Sequence, residues 1–207
     1  MPDGVGVVVA AFGGYLIGTF PTAAVLTRLV TRGRVDIRQS GSGNPGGLNA
    51  IRVIGKGWGL LVIVLDTAKG ALAGFVGLAI GDHAAYAAGI AVIVGHCWPV
   101  WTRFQGGKGV AAAGGSFASV FPPFFPIGAT LALVSSLVTR RTALAMVITC
   151  TGWVAAAIAW WAADLGMWWG PAVGVGLVIY SVLGSAMILA KFRAAPSHGF
   201  GSERASE

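Results

Sequence analysis

Apolar residues run along this chain in long blocks rather than in a repeating stripe. Stretches 5–30, 57–80, 84–101, 142–163 and 166–190 are each nearly continuous in apolar or small residues, and a helix crossing a hydrocarbon core needs roughly twenty of them. Two shorter blocks, 109–121 and 126–138, are separated by the uncharged run Phe121-Pro-Pro-Phe-Phe-Pro126, which is expected to lie at an interface. Together the blocks predict an all-α polytopic membrane protein with about seven transmembrane helices. Pro21 predicts a kink in the inner half of the first. A re-entrant pair over the two short blocks fits equally well and leaves both termini on the same sides. Residues 1–193 then form a single transmembrane domain. The stretch 194–207 is small and polar, and is expected to be a disordered cytoplasmic tail.

Charge adds orientation to this pattern. The chain is 56% hydrophobic and only 10% charged, with a mean hydropathy of +0.78; a soluble domain carries about a quarter charged residues. Of fourteen Lys and Arg residues, Lys69 alone interrupts an apolar block. The rest cluster within 28–56, 103–108, 140–141 and 191–204. The intervening turns carry only acidic charges, at Asp3, Asp82 and Asp164. Basic loops favour the cytoplasmic side, so the N-terminus is placed outside and the C-terminus inside. The same rule accounts for the net charge of +7 without a nucleic-acid partner. Asp3, rather than a basic segment, precedes the first block, which also exceeds signal-peptide length; it reads as a retained span. Cys97 and Cys150 lie in apolar blocks at no metal-ligand spacing and read as small buried hydrophobes.

Two of the basic loops carry candidate chemistry. The first reads Asp36-Ile-Arg-Gln-Ser-Gly-Ser-Gly-Asn-Pro-Gly-Gly-Leu-Asn49-Ala-Ile-Arg52. Gly41, Gly43, Gly46 and Gly47 let successive N–H groups approach an anion. Ser42, Asn44 and Asn49 add short polar groups, and Arg52 can clamp a phosphate. A flexible connector is the plainer alternative, but a connector has no need of two Asn and an Arg. The other loop ends Gly106-Gly107-Lys108-Gly109 directly before an apolar helix, a natural phosphate site. It lacks the Ser or Thr that a Walker A motif requires, and a topology anchor would also explain its charge. His96, at the end of its span, reads as a proton carrier or a hydrogen-bonding strut. Asp66 and Lys69, three apart within a span, face one another on a helix. They read as an ion pair lining the site or as direct substrate contacts, since lone charges are costly there.

The run Asp36-Ile-Arg38…Gly41-Ser-Gly-Asn-Pro-Gly46…Asn49…Arg52, then Asp66…Lys69-Gly70, then Gly95-His96…Pro99-Val100…Gly106-Gly-Lys-Gly-Val110, resembles the acyl-phosphate-dependent glycerol-3-phosphate acyltransferases of bacterial membranes. The resemblance implies a seven-span membrane acyltransferase domain over 1–193 in the bacterial cell membrane, its site facing the cytoplasm. It implies acyl transfer from acyl phosphate to glycerol 3-phosphate, giving lysophosphatidic acid for phospholipid synthesis. Ser42, Asn44, His96 and Lys108 would act at the reacting centre. Gly41, Gly43, Asn49, Arg52, Gly106, Gly107 and Gly109 would bind phosphate, with Asp66, Lys69 and Arg193 supporting them. No metal, nucleotide or other cofactor is implied; the partners are the two substrates and the lipid bilayer, and oligomeric state is left open.

The carboxyl-terminal end departs from that family's pattern. A His-Arg-x-Asn motif usually follows the last span, whereas this chain has Lys191-Phe-Arg-Ala-Ala-Pro196, so only Arg193 matches. Ala143 stands where a Ser is expected. A transporter of a phosphorylated metabolite and an inactive membrane paralogue therefore remain as alternatives. Arg28, Arg32, Arg34, Arg103, Arg140, Arg141 and Lys191 read as charges that only hold topology.

Overall fold

The computed structural model describes residues 3–194, and among these every regular element is helical. The helices are α1 (Asp3–Thr19), α2 (Thr22–Val30), α3 (Gly47–Ile54), α4 (Lys56–Leu78), α5 (Asp82–Cys97), α6 (Val110–Val120), α7 (Phe124–Thr139), α8 (Thr142–Ala162) and α9 (Val175–Ala194). Five stretches are long and apolar enough to cross a bilayer: Asp3–Val30, Lys56–Leu78, Asp82–Thr102, Thr142–Ala162 and Val175–Ala194. The expected tail at 194–207 lies, but for Ala194, outside the described residues.

The first block is two helices rather than one kinked helix. Proline lacks the N–H that would continue the ladder, so α1 ends before Pro21 and α2 starts after it. At the break the Phe20 carbonyl accepts hydrogen bonds from the Thr22 N–H and from Lys69 Nζ, each at 3.0 Å. A break at this depth persists because its polar groups find partners inside the protein.

Helices α1, α4, α5 and α6 pack through small residues. A Cβ added at Gly14 would lie 2.6 Å from the Ala88 carbonyl oxygen, and one at Gly77 2.6 Å from that of Ala84. Two turns earlier on the same side of α4, Gly70 abuts the Ala112 carbonyl, and Gly115 of α6 abuts that of Thr67. Close backbone approach is a main source of helix association where lipid supplies no hydrophobic contrast. The carboxyl-terminal half packs by size instead. Trp153 stands edge-on to Phe117 and Tyr180, at centroid distances of 4.4 and 5.1 Å.

Two sequence expectations are corrected, and the 121–126 turn gains a feature its sequence did not announce: Phe121 and Phe124 are fully buried, stacked 5.7 Å apart within the aromatic core, while Phe125 and Pro126 are exposed. Pro122 and Pro123 stop α6 there, and the phenylalanines on either side fold inward. The last span begins at Val175, not at residue 166, because Gly170 (φ +108°) and Pro171 keep the preceding segment irregular. It also runs on to Ala194, which places Lys191 and Arg193 on its final turn, where cations suit the helix dipole. Finally, the first basic loop contains a helix, α3. Its Ala50 joins Ala23, Ile37 and Val62 in a small core against α2 and α4.

Candidate active site

The first loop is shaped by one buried amide. Asp36 accepts the Arg38 N–H at 3.0 Å and starts a short 3-10 turn over Ile37–Gln39. Asn49, 2% exposed in the first turn of α3, then holds the glycine run. Its Oδ1 accepts the Ser42 N–H at 2.8 Å, and its Nδ2 donates to the carbonyls of Ile37 and Ser40 at 3.1 and 2.9 Å. Gly41 and Gly43 are left-handed at φ +58° and +69°, and a side chain at Gly41 would strike the Asn49 amide. Glycine is required there by both conformation and space.

The second loop folds back on the end of α5. Gly106 and Gly107 donate their N–H groups to the carbonyls of Cys97 and His96 at 3.2 and 3.1 Å. Those carbonyls lack partners within α5, so the helix end itself templates the loop. Neither glycine has room for a Cβ: Gly106 lies against the His96 carbonyl and Gly107 against His96 Nε2. Gly109 then starts α6 in the left-handed region, beside Cys97 Sγ.

These loops wall two adjoining spaces. An open cleft of about 370 Å³ is lined by Ser42, Gly43, Asn44 and Lys108, with Lys191 and Ala194 from the end of α9. Among the described residues, no acidic side chain lines it. Lys108 Nζ sits 4.2 Å from the centroid of the Phe192 ring, and burial pushes its pKa below the ordinary lysine value. Beneath lies a chamber of about 20 Å³ bordered by Thr22, Asp66, Lys69, His96 and Gly107, large enough for about one water. Asp66 Oδ1 accepts from Lys69 Nζ and from Thr22 Oγ1, each at 2.8 Å, and lies 3.6 Å from His96 Nδ1. Arg38, Pro45, Gln105 and Gly106 border both spaces.

The structure thus brings Ser42, Gly43, Asn44, Gly106 and Lys108 together at the cleft, and Asp66, Lys69, His96, Gly106 and Gly107 at the chamber. Gly41, Asn49 and Gly109 shape the walls. Arg52, on the last turn of α3, and Arg193, on the last turn of α9, are exposed and border neither space. Sequence reasoning gave Arg38 no role and treated Lys191 as a topology charge, yet both line the cleft. Lys191 Nζ donates to the Cys97 carbonyl at 2.9 Å and lies 5.3 Å from the Trp98 ring centroid. The sequence cue for Arg38 was its place two residues after the capping Asp36; Lys191 offered no cue beyond its charge.

Fold and site together define a multi-pass helical membrane protein with a basic, glycine-walled cleft where the ends of α5, α6 and α9 meet. The family model described as glycerol-3-phosphate acyltransferase matches residues 8–198, and the chain belongs to that family. A glycerol-3-phosphate acyltransferase of Laribacter hongkongensis is 37% identical over 171 residues, covering 80% of this chain and 83% of the relative. One from Syntrophotalea carbinolica is 48% identical over 118 residues, 56% of this chain; the match spans 59% of that relative's length, less than two thirds. Among solved structures, the lysophosphatidic acid form of PlsY (YgiH), an integral membrane glycerol 3-phosphate acyltransferase, superposes with a TM-score of 0.74 at 29% identity, covering 90% of this chain and 88% of that one. Its glycerol 3-phosphate form gives 0.73 at 28%, with the same coverage.

Proposed function

We propose that this chain transfers a fatty acyl group from acyl phosphate to the primary hydroxyl of glycerol 3-phosphate, releasing phosphate and lysophosphatidic acid. The observation that carries the proposal is the cleft itself: Arg38 and Lys108, the short polar side chains of Ser42 and Asn44, and no lining carboxylate among the described residues. Such a wall suits two phosphate-bearing substrates. An acyl phosphate is already activated, so the protein's work is to hold two anions together and stabilise charge developing on the carbonyl oxygen. The hydroxyl oxygen attacks the carbonyl carbon, the bond from that carbon to the phosphate oxygen breaks, and the hydroxyl proton passes to the departing phosphate. Ser42 and Asn44 are placed to donate to the reacting carbonyl.

A serine nucleophile finds less support. Such a residue needs an adjacent base, and His96 borders the buried chamber while Ser42 lines the open cleft. A transporter would need a polar path at mid-membrane. Asp66 and Lys69, the charges at that depth, are joined to each other instead.

In the arrangement we favour, α6 and α7 complete seven spans within a single domain over 1–193. The N-terminus lies outside, and the C-terminus and the cleft face the cytoplasm of a bacterial cell. The basic residues at 28–38, 103–108, 140–141 and 191–193 then share one side. The test is an assay of purified protein with acyl phosphate and labelled glycerol 3-phosphate. Lysophosphatidic acid is the expected product, and its absence, where another family member succeeds, overturns the proposal.

A further inference from the structure

We propose that Arg38 is a phosphate ligand, seated where the open cleft and the buried chamber meet, that pairs with Lys108 to hold a substrate's anionic group. This rests on the acyltransferase reading and adds a residue to it. Arg38 Nε is buried and has no hydrogen-bond partner among the described residues. A guanidinium cannot shed its charge to relieve burial, as a lysine can. The nearby carboxylates are already engaged. Asp36 takes the backbone N–H of Arg38, and Asp66 is held by Lys69 and Thr22. Among the described residues, a half-buried guanidinium fork whose Nε has no acceptor therefore borders a cleft lined by no acid.

The missing partner is an anion, and a phosphate oxygen pair matches the fork in two parallel bonds. The Arg38 backbone also lies close to the Ser42–Asn44 turn: a Cβ at Gly43 would lie 3.1 Å from the Arg38 carbonyl oxygen. Because Arg38 and Lys108 belong to different loops, an anion between them ties the two loops together. Both substrates carry phosphate, so the ligand is the phosphate of the donor or that of the acceptor.

The test uses the full-length protein in detergent, with Arg38→Gln, Arg38→Lys and the exposed control Arg32→Gln. Thermal unfolding is followed with inorganic phosphate, glycerol 3-phosphate or glycerol, and KM is measured for each substrate. Phosphate and glycerol 3-phosphate, but not glycerol, are expected to raise the melting temperature of the wild type and of Arg32→Gln. Arg38→Gln should keep the ligand-free melting temperature and lose that response, with KM for one substrate rising about ten- to a hundredfold, the range of a lost charged hydrogen bond. A rise confined to glycerol 3-phosphate marks the acceptor's phosphate; one confined to acyl phosphate marks the donor's. Arg38→Lys should fall between. Unchanged KM values with an intact phosphate response overturn the inference. If Arg38→Gln does not fold, a folded Arg38→Lys with wild-type KM overturns it as well. A wild type that makes no lysophosphatidic acid defeats the acyltransferase reading, and the phosphate arm still judges Arg38.

Discussion

In the buried chamber, Lys69 is 9% exposed and every nearby charge is answered: Asp66 lies at 2.8 Å and the Phe20 carbonyl at 3.0 Å. In the adjoining cleft, Lys108 rests on an aromatic ring, and Arg38, at the border of the two spaces, has no partner for its Nε among the described residues. The same residue types thus do opposite work. Lys69 spends its charge on the protein, tying α4 to the broken end of α1. On the proposed reading, Arg38 and Lys108 keep theirs for a substrate that arrives from outside. The difference separates residues whose loss unfolds the site from residues whose loss empties it.

Asp66→Ala should produce the largest effect, on stability. It strands a buried ammonium, at about 3–5 kcal/mol, which would appear as a lower melting temperature. The double variant Asp66→Leu/Lys69→Met should recover much of that loss; a stable Asp66→Ala protein would break the comparison. Lys108→Ala should instead keep the wild-type melting temperature and lower kcat/KM by about a hundred- to a thousandfold, the scale of one lost charge-stabilising group.

Asn49→Ala removes three hydrogen bonds that shape the 42–44 turn. Since each buried group left unpaired costs about 1–3 kcal/mol, KM should rise for both substrates with a modest fall in melting temperature. Ser42→Ala should cost about tenfold in kcat, one hydrogen bond's worth, and retain acyl transfer; complete loss would favour a serine nucleophile. The smallest effect is a pH limb. Burial lowers the Lys108 pKa, so its charge is present at low pH and lost as pH rises, beginning below the ordinary lysine value. kcat/KM should fall on that alkaline side, and Lys108→Arg should remove the limb, because a guanidinium stays charged.

The helical blocks were legible because lipid demands long, continuous apolar runs, and the glycine loops because their turns demand glycine. Other features depended on contacts between distant segments. The burial of Phe121 and Phe124 depends on the Trp160 and Trp153 rings of α8 that they pack against, which no local pattern records. Arg38 and Lys191 looked like their basic neighbours; one gained its meaning from an absent acceptor, the other from the position of the α5 end. Arg52, expected to bind phosphate, and Arg193, expected to support the site, both lie exposed on the last turns of their helices, a placement that charge alone does not reveal.

The shortness of α6 reaches further than its own packing. Eleven residues rise about 16 Å, roughly half the thickness of a bilayer's hydrocarbon interior. The remaining depth beneath it is filled by folded chain: the Trp169 indole donates to the Ala118 carbonyl at 2.7 Å, and Gly170 sits against the Ser119 carbonyl oxygen. Seven of its eleven residues are buried among neighbouring helices, so a helix too short to face lipid along its length meets protein instead, and the segment that follows Lys108 is sheltered by the fold rather than by the bilayer.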